Sequence, residues 1–233
     1  MGINKTLQGK TIAITGSSRG IGLAVSNLVN ESGGNLVLGS RSYQDRVQDN
    51  RLELYLDVTR EDSVKHFYEK AIEQFGTVDV LINSAGVGVF SSIIDSSTED
   101  FDRMINVNLR GTYLTCKYFG KHMVDTHQVH MINLVSIAGT MALTGCGGYS
   151  ASKFGVMGLT KVLQAELRGK GIQVTSVIPG SVSSSFWNEF DPKPDLSQMI
   201  PVESVASHIL YLLHQPQGAY IDEITIMPPL GIL

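Results

Sequence analysis

The sequence predicts one α/β domain, built on a doubly wound and mostly parallel β-sheet of about seven strands with helices on both faces. Short β-branched runs alternate along the chain with stretches in which apolar residues recur at a helical period. A glycine-rich turn, Gly16 to Gly22, lies between the first such run and the first helical stretch. No repeat, linker or change in composition divides the 233 residues, so we expect a single domain over 1–233.

The composition is that of an ordinary globular protein and argues against several functions. Apolar residues make up 42% and the net charge is -4, which offers no electrostatic footprint for nucleic acid or an anionic membrane. No apolar run approaches a membrane span, and the N-terminus lacks the apolar segment of a signal peptide. Two cysteines are too few for a disulfide framework, so we expect a cytoplasmic protein. His127 and His130 have no acids or cysteines beside them, so we expect no metal site.

The first strand and helix are predicted at residues 10–15 and 23–32, on either side of the glycine turn. Glycines let the backbone bend sharply and approach a pyrophosphate, whose charge the amides of a helix N-terminus stabilise. An ordinary turn would also carry glycine, but its place between strand and helix favours dinucleotide binding. The residues expected to bind the cofactor here are Gly16, Ser18, Arg19, Gly20, Ile21 and Gly22.

The second predicted strand, 35–39, is followed by Ser40 and Arg41 where NAD-binding proteins carry an acid that accepts from the adenosine ribose. Without that acid, and with Arg41 and Arg19 both available as cations, the site favours the 2′-phosphate of NADP over NAD. The alternative is that either arginine faces solvent. Residues 42–51 are polar and short, so we expect a loop there before the next strand, 52–56.

The remaining elements follow the same alternation. A helical period over 62–75 precedes a strand at 79–82, which ends in the small residues of Asn83 to Gly86. A long helix is expected from Thr98 to about His122, and the asparagines inside it, Asn106 and Asn108, are unfavourable there. Further strands at 130–135, 172–178 and 222–227 alternate with helices at 149–168 and 201–214.

Ser136, Tyr149 and Lys153 form the candidate catalytic group. Ser136 ends a strand, while Tyr149 and Lys153 lie four residues apart on one face of a helix. A phenol has a free pKa of about 10, so its use in proton transfer needs a group that favours the phenolate, and a lysine ammonium one turn away supplies this. Taken alone, the pair would more often be a helix start with a lysine lying along the surface.

The surrounding motifs change that interpretation. TGSSRGIG at 15–22, Asn83, YSASK at 149–153 and Pro179-Gly180 together resemble the classical short-chain dehydrogenase/reductase family, over essentially the whole chain. The resemblance implies a Rossmann fold and hydride transfer between a nicotinamide and a carbonyl or secondary alcohol carbon. In that scheme Tyr149 gives or takes the hydroxyl proton and Ser136 binds the substrate oxygen. Lys153 holds the nicotinamide ribose, and Asn108 connects Lys153 to solvent through water.

The resemblance also implies further cofactor contacts. Asp57 and Val58 match the segment that lies on adenine, although Asp57 is equally explained as a polar residue that begins a helix. Two positions depart from the family pattern, since Ser84 replaces an asparagine and Ser184 replaces a threonine. The positions implied to contact the cofactor are Asp57, Val58, Asn83, Ala85, Gly86, Tyr149, Lys153, Pro179, Gly180, Val182 and Ser184.

Substrate and partners are less well defined by sequence. Pocket residues are expected in 87–97, 138–148 and 181–200, and the aromatic residues of 181–200 suggest a substrate lid or an anchor for that loop. Ala151, Gly155 and Gly158 leave one helix face nearly bare. This bare face predicts a homodimer or homotetramer in which the helix at 149–168 and the helix containing Asn108 meet a second subunit. The alternative is that the face packs against the same subunit.

The expected function is therefore an NADPH-dependent carbonyl reductase acting on a small molecule. A protein of another class, a non-catalytic nucleotide sensor or scaffold that retains the fold, is the alternative. Such a protein has no physical need for the tyrosine-lysine pair.

Overall fold

The computed structural model describes residues 6–126, 130–190, 193–216 and 218–232. The strands are β1 (Thr11–Thr15), β2 (Asn35–Ser40), β3 (Arg46–Gln48), β4 (Arg51–Tyr55), β5 (Val80–Asn83), β6 (His130–Leu134), β7 (Gln173–Pro179), β8 (Val182–Ser183), β9 (Ile200–Pro201) and β10 (Glu223–Ile226). The α-helices are α1 (Gly20–Glu31), α2 (Glu61–Phe75), α3 (Thr98–Met104), α4 (Gly111–Thr126), α5 (Gly147–Arg168) and α6 (Val202–Leu213). A π-helical turn, Ile105–Arg110, joins α3 to α4.

The main sheet has the strand order β10-β7-β6-β5-β1-β2-β4-β3, and its pairs are parallel except for β3 with β4. The chain builds outward from β1 to β2 and β4, then returns to place β5 on the other side of β1. This reversal confirms the predicted doubly wound arrangement. It opens a crevice at the carboxyl ends of β1 and β5, where such folds bind ligands.

The central strands are buried because helices cover both faces of the sheet. Side chains along β1 alternate: Ala13 packs with α2 and α4, while Ile12 and Ile14 pack with α1 and α6. All five β1 residues are buried, as are those of β5, β6 and β7. These two apolar cores fix the strand ends from which the candidate site is built.

The segment 42–51, expected to be a loop, contains strand β3, and the main sheet has eight strands where about seven were expected. β3 pairs antiparallel with β4 through a two-residue turn in which Asp49 has φ 50. Asp tolerates this left-handed conformation better than most residues. Every β3 residue is exposed, so the segment carries no apolar alternation by which sequence could reveal a strand.

The predicted continuous helix from Thr98 is interrupted at the π-helical turn, whose one buried residue is Asn108. The turn accommodates the asparagine whose presence in a helix is unfavourable. α5 begins two residues before Tyr149 rather than at it, so the tyrosine lies in the first helical turn. No helix within the described ranges is long and apolar enough to cross a membrane.

The bare face of α5 is partly filled by the same subunit. A Cβ added at Gly155 would lie 2.7 Å from Cδ2 of Leu109, whereas one at Gly158 would meet no heavy atom within 4 Å. Ala151 and Gly158 are exposed. Gly155 is therefore explained by packing inside the subunit, which corrects the expectation for that residue.

Candidate active site

A cavity of about 630 Å³ lies at the carboxyl ends of β1, β2, β4, β5, β6 and β7. Its volume falls within the range typical of ligand sites. It brings together most of the residues selected from the sequence: Gly16, Ser18, Arg19, Gly20, Ile21, Ser40, Arg41, Asp57, Val58, Ala85, Gly86, Ser136, Tyr149, Lys153, Pro179, Gly180, Val182 and Ser184. Gly22, Asn83 and Asn108 do not line it.

The glycine turn forms a cradle that side chains would fill. Gly16 has φ 68, and a Cβ there would lie 2.7 Å from Cα of Ala85. A Cβ at Gly22 would lie 2.5 Å from the carbonyl oxygen of Gly16, which explains the glycine at a position behind the lining. No side chain caps the N-terminus of α1. Its free amides and the helix dipole suit a phosphate group, so these residues fit a dinucleotide.

The Ser40 hydroxyl, at the end of β2, contacts the hydroxyls of Ser18 and Ser42. Its Oγ donates to Oγ of Ser18 at 2.8 Å and lies 3.0 Å from Oγ of Ser42. Arg41 follows it and is exposed. No acidic side chain stands beside these hydroxyls at positions 40–42.

Arg19 and Arg41 converge with a third arginine. Together with Arg103 of α3 they line a small cavity of about 60 Å³ that also includes Val87, Gly88 and Phe186. Arg103 pairs with Asp100 at 3.2 Å, whereas Arg19 and Arg41 have no ion-pair partner among the described residues. Sequence reasoning missed Arg103 because a charged residue on a helix normally indicates a solvated face.

Asp57 supports both interpretations made for it. Its Oδ1 accepts from the amide of Thr59 at 3.0 Å and from Oγ1 of Thr59 at 2.8 Å, which shapes the approach to α2. The residue also lines the cavity beside Val58. The same carboxylate therefore fixes the local backbone and borders the candidate cofactor site.

Asn83 lies beneath the cavity instead of lining it. Its Nδ2 donates to Oδ1 of Asn133 at 2.8 Å, and its Oδ1 accepts from Thr115 at 2.7 Å. These bonds tie β5 to β6 and α4. Since the amide is directed into this network, Asn83 supports the site from below, and the backbone of Ala85 and Gly86 supplies the lining.

The side chain of Asn108 hydrogen-bonds to the backbone of the loop that follows β5. Its Oδ1 accepts from the amide of Val87 and its Nδ2 donates to the carbonyl of Val87, both at 2.8 Å. The second Nδ2 proton goes to Oγ of Ser152 at 2.9 Å. Both amide protons are thus used within the protein, and the side chain locks the loop against α5 next to Lys153.

Tyr149 and Lys153 project from α5 into the cavity, opposite Ser136 at the end of β6. Nζ of Lys153 lies 5.8 Å from the centre of the Tyr149 ring and donates to the carbonyl of Leu134 at 2.8 Å. Oγ of Ser136 accepts from the amide of Ala138 at 3.2 Å. The three predicted catalytic side chains therefore share one surface.

Burial sets the protonation of this group. It raises the pKa of Tyr149 to about 12, against a smaller lowering by Ser136, and it lowers the pKa of Lys153 to about 8. The expectation that Lys153 favours the phenolate is not visible here, because desolvation dominates at both residues. At neutral pH Tyr149 keeps its proton and Lys153 remains a cation.

Pro179 and Gly180 end β7 and close the cavity below the loop 181–200. The amide of Gly180 donates to the carbonyl of Ile226 at 2.8 Å. Oγ of Ser184 accepts from the amide of Phe186 at 3.3 Å, and its Cβ would lie 3.8 Å from a Cβ placed on Gly20. Ser184 thus lies next to the N-terminus of α1.

Three aromatic residues of the loop 181–200 pack against Phe90, from the segment after β5, and we define Phe90, Phe186, Trp187 and Phe190 as the aromatic cluster. The centre of the Phe90 ring lies 4.9 to 6.2 Å from those of the other three and 5.5 Å from that of Tyr149. The base of the loop is pinned where β8 pairs with β9. Sequence placed pocket residues in 87–97 and 181–200 without singling out Phe90, whose role depends on a contact between distant segments.

Of the two histidines considered as metal ligands, the structure describes only His130. His127 lies outside the described residues, while His130 is buried and its Nε2 lies 2.8 Å from Oγ1 of Thr175. Burial lowers the pKa of His130 to about 4. Within the described ranges, no group of three or more His, Cys, Asp or Glu side chains is placed to hold a metal ion.

Comparisons with known proteins agree with the fold. The family model described as short chain dehydrogenase matches residues 10–195. An uncharacterized oxidoreductase of Staphylococcus aureus (strain MRSA252) is 34% identical over 230 residues, covering 95% of this chain and 98% of that protein. The chain therefore belongs to the short-chain dehydrogenase family, a family of oxidoreductases.

Two solved structures show the same architecture. An alcohol dehydrogenase from the archaeon Thermococcus sibiricus, complexed with 5-hydroxy-NADP, has a TM-score of 0.84 at 29% identity, covering 93% of this chain and 95% of that one. ElxO with NADP bound also has a TM-score of 0.84, at 28% identity, covering 94% and 97%. Both alignments extend over nearly the whole of each chain.

Proposed function

We propose that this protein is an NADPH-dependent carbonyl reductase. The observation that carries the proposal is the convergence of Ser136, Tyr149 and Lys153 on the cavity that also holds the glycine cradle. When bound there, a nicotinamide dinucleotide would supply the hydride for the carbonyl carbon. Structural neighbours solved with NADP support this assignment.

The protein's own residues would manage the oxygen and its proton. Ser136 would donate a hydrogen bond to the carbonyl oxygen and stabilise the charge that develops there. Tyr149 would give its proton to that oxygen, so the product is an alcohol. Lys153, a cation below pH values of about 8, would stabilise the phenolate left behind.

The test is NADPH oxidation, followed by absorbance, with a panel of neutral and charged ketones and aldehydes. Saturable oxidation that depends on the carbonyl compound is the expected result. Tight NADPH binding with no turnover of any panel member would instead support the nucleotide-sensor alternative.

We propose NADP as the preferred cofactor because Arg19 and Arg41 line the main cavity together with Ser40, and the same two arginines line the adjoining small cavity with Arg103. A 2′-phosphate requires cations, and NAD has no group to use them. Arg41→Ala is expected to weaken NADPH binding by about 10- to 100-fold, the effect of one charge-assisted hydrogen bond, and to leave NADH binding nearly unchanged.

Calorimetric titration of both cofactors measures this difference. Arg168→Ala serves as the matched control, because that arginine pairs with Asp222 at 2.6 Å at the far end of α5. Equal weakening of NADPH and NADH by Arg41→Ala would contradict the assignment.

We also propose a homodimer or homotetramer that buries exposed parts of α4 and α5. Tyr113, Phe154 and Val162 expose 47 to 54% of their surface on these helices and would provide apolar surface for a second subunit to cover. Ala151 and Gly158 would let a second backbone approach closely. Light scattering at micromolar concentration is expected to show at least twice the subunit mass of 25.3 kDa. A monomeric mass would refute this proposal.

A further inference from the structure

The two halves of the cavity differ in charge. Arg19, Arg41 and Asp57 line the half formed by α1, β2 and β4. The half that follows β5, β6 and β7 is lined by Phe90, Leu143, Cys146, Phe186 and Trp187, among others, and Lys153 is the one charged lining residue there among those described. Lys153 already donates to the carbonyl of Leu134. That bond uses one of the three N–H donors of Lys153, and in the proposed reaction its charge stabilises the Tyr149 phenolate, so this half holds no cation assigned to an anionic substrate.

Phe90 connects the aromatic cluster to the catalytic tyrosine. Its ring is 5.5 Å from that of Tyr149 at an interplanar angle of 67°. It also lies 5.6 Å from Trp187 and 4.9 Å from Phe190, in tilted arrangements. Edge-to-face and tilted contacts at these separations are the geometry that aromatic rings prefer.

A carbonyl compound bound with its oxygen at Tyr149 would have Phe90 as a neighbour, because both residues line this half of the cavity and their ring centres are 5.5 Å apart. A carboxylate or phosphate at that position would lose water, and the one charged lining residue of this half among those described, Lys153, already serves the Tyr149 phenolate in the proposed reaction. A flat aromatic group would instead extend the existing ring contacts. Phe186 borders both the main cavity and the small cavity of the three arginines, so the cluster stands between those charges and the catalytic tyrosine.

We propose that the substrate is a neutral carbonyl compound with an aromatic ring next to the carbonyl group, and that Phe90 recognises this ring. The proposal rests on the carbonyl reductase function and specifies its substrate class. It makes Phe90 a specificity-determining residue that touches the substrate without taking part in proton transfer.

Three ketones separate the effect of an aromatic ring from the effects of ring size and of charge: acetophenone, cyclohexyl methyl ketone and benzoylformate. The second has a saturated ring of similar size, and the third adds a carboxylate to the aryl ketone. NADPH oxidation by the wild-type protein is expected to give acetophenone the highest kcat/KM, with benzoylformate at least ten-fold lower.

Phe90→Leu removes the ring while keeping an apolar side chain. We expect it to lower the preference for acetophenone over cyclohexyl methyl ketone by about two- to ten-fold, the worth of one aromatic pair. The change should appear in KM rather than in the affinity for NADPH. Phe90→Tyr retains the ring and should retain the preference, while Tyr211→Leu, at an exposed position on α6, should change neither value.

Binding without turnover gives a second measurement. Trp187 is the single tryptophan of the chain and belongs to the cluster, so at a fixed NADPH concentration a change in its emission reports on a ligand that binds beside the cluster. In the non-reactive complex with NADPH, 1-phenylethanol is expected to alter this emission at lower concentration than 1-cyclohexylethanol. Phe90→Leu should abolish the difference.

The outcomes distinguish this proposal from the function on which it rests. A preference for benzoylformate, or an unchanged ketone preference in Phe90→Leu, overturns the aromatic-ring proposal and leaves the reductase intact. If no ketone or aldehyde is reduced but 1-phenylethanol still binds in a Phe90-dependent way, the ring site stands and the reductase function fails. Absence of both turnover and binding refutes both.

Discussion

Replacing Tyr149 with phenylalanine is expected to lower the kcat/KM of carbonyl reduction by about 10²- to 10⁴-fold, the usual contribution of general acid catalysis. The substitution removes the hydroxyl group that would protonate the substrate oxygen. The ring itself remains and keeps its contacts with Phe90 and Phe186, whose centres lie 5.5 and 6.0 Å away. Fold and cofactor affinity should therefore survive.

Steady-state kinetics, the melting temperature and NADPH affinity measured on the same preparation separate these effects. Tyr211→Phe is the matched control, because it removes a hydroxyl from an exposed tyrosine on α6. If Tyr149→Phe turns over substrate at the wild-type rate, the proton donor has been misassigned. A loss of NADPH binding equal to the loss of turnover would show that Tyr149 serves the cofactor rather than the chemistry.

Gly16→Ala is expected to have the largest structural effect. The residue has φ 68, which costs an alanine about 1–2 kcal/mol. Its Cβ would also lie 2.7 and 2.8 Å from Cα and N of Ala85. That backbone is held in place because the Ala85 amide donates to Oγ1 of Thr15 at 3.2 Å. Overpacking of this kind costs roughly a further 1–3 kcal/mol.

We therefore expect Gly16→Ala to lower both the free energy of unfolding and the affinity for NADPH, measured by denaturant titration and calorimetry. Gly76→Ala is the matched control, since Gly76 has φ 75 at the end of α2 and no heavy atom within 4 Å of its Cβ position. Gly76→Ala should lower the free energy of unfolding only by the cost of placing alanine at a positive φ. Equal losses in the two variants, with unchanged NADPH affinity in Gly16→Ala, would argue against a close-packed cradle.

Sequence alone predicted the glycine turn and the parallel sheet, because each depends on local signals, whereas the candidate catalytic group was selected because the surrounding motifs resemble a known family. Strand runs, helical periods and the spacing of Tyr149 and Lys153 all operate within a few residues. The cavity then follows from topology, since parallel strands that alternate with helices bring their carboxyl ends together. For this reason Ser136 and Gly16, far apart in the chain, were both expected at one site.

The features that sequence missed depend on contacts between distant segments. β3 forms because an exposed segment pairs with β4. Its mostly polar sequence has no hydrophobic pattern that would predict this pairing. Phe90 and Arg103 gain their importance from the elements that fold next to them. Gly155 suggested a contact between subunits, but Leu109 of the same chain occupies that space. Desolvation of Tyr149 and Lys153 likewise depends on surroundings that spacing cannot reveal.

Transfer of deuterium is the most direct test of the central claim that this site reduces carbonyl compounds with NADPH. The wild-type protein would be supplied with NADPH deuterated at C4 on either face in turn, together with acetophenone, and the product analysed by mass spectrometry. We predict that one of the two labelled cofactors gives 1-phenylethanol with a single deuterium on the carbinol carbon, and that Tyr149→Phe forms this product far more slowly. Alcohol without deuterium from both cofactors, or no alcohol from any carbonyl compound tested, would contradict the account.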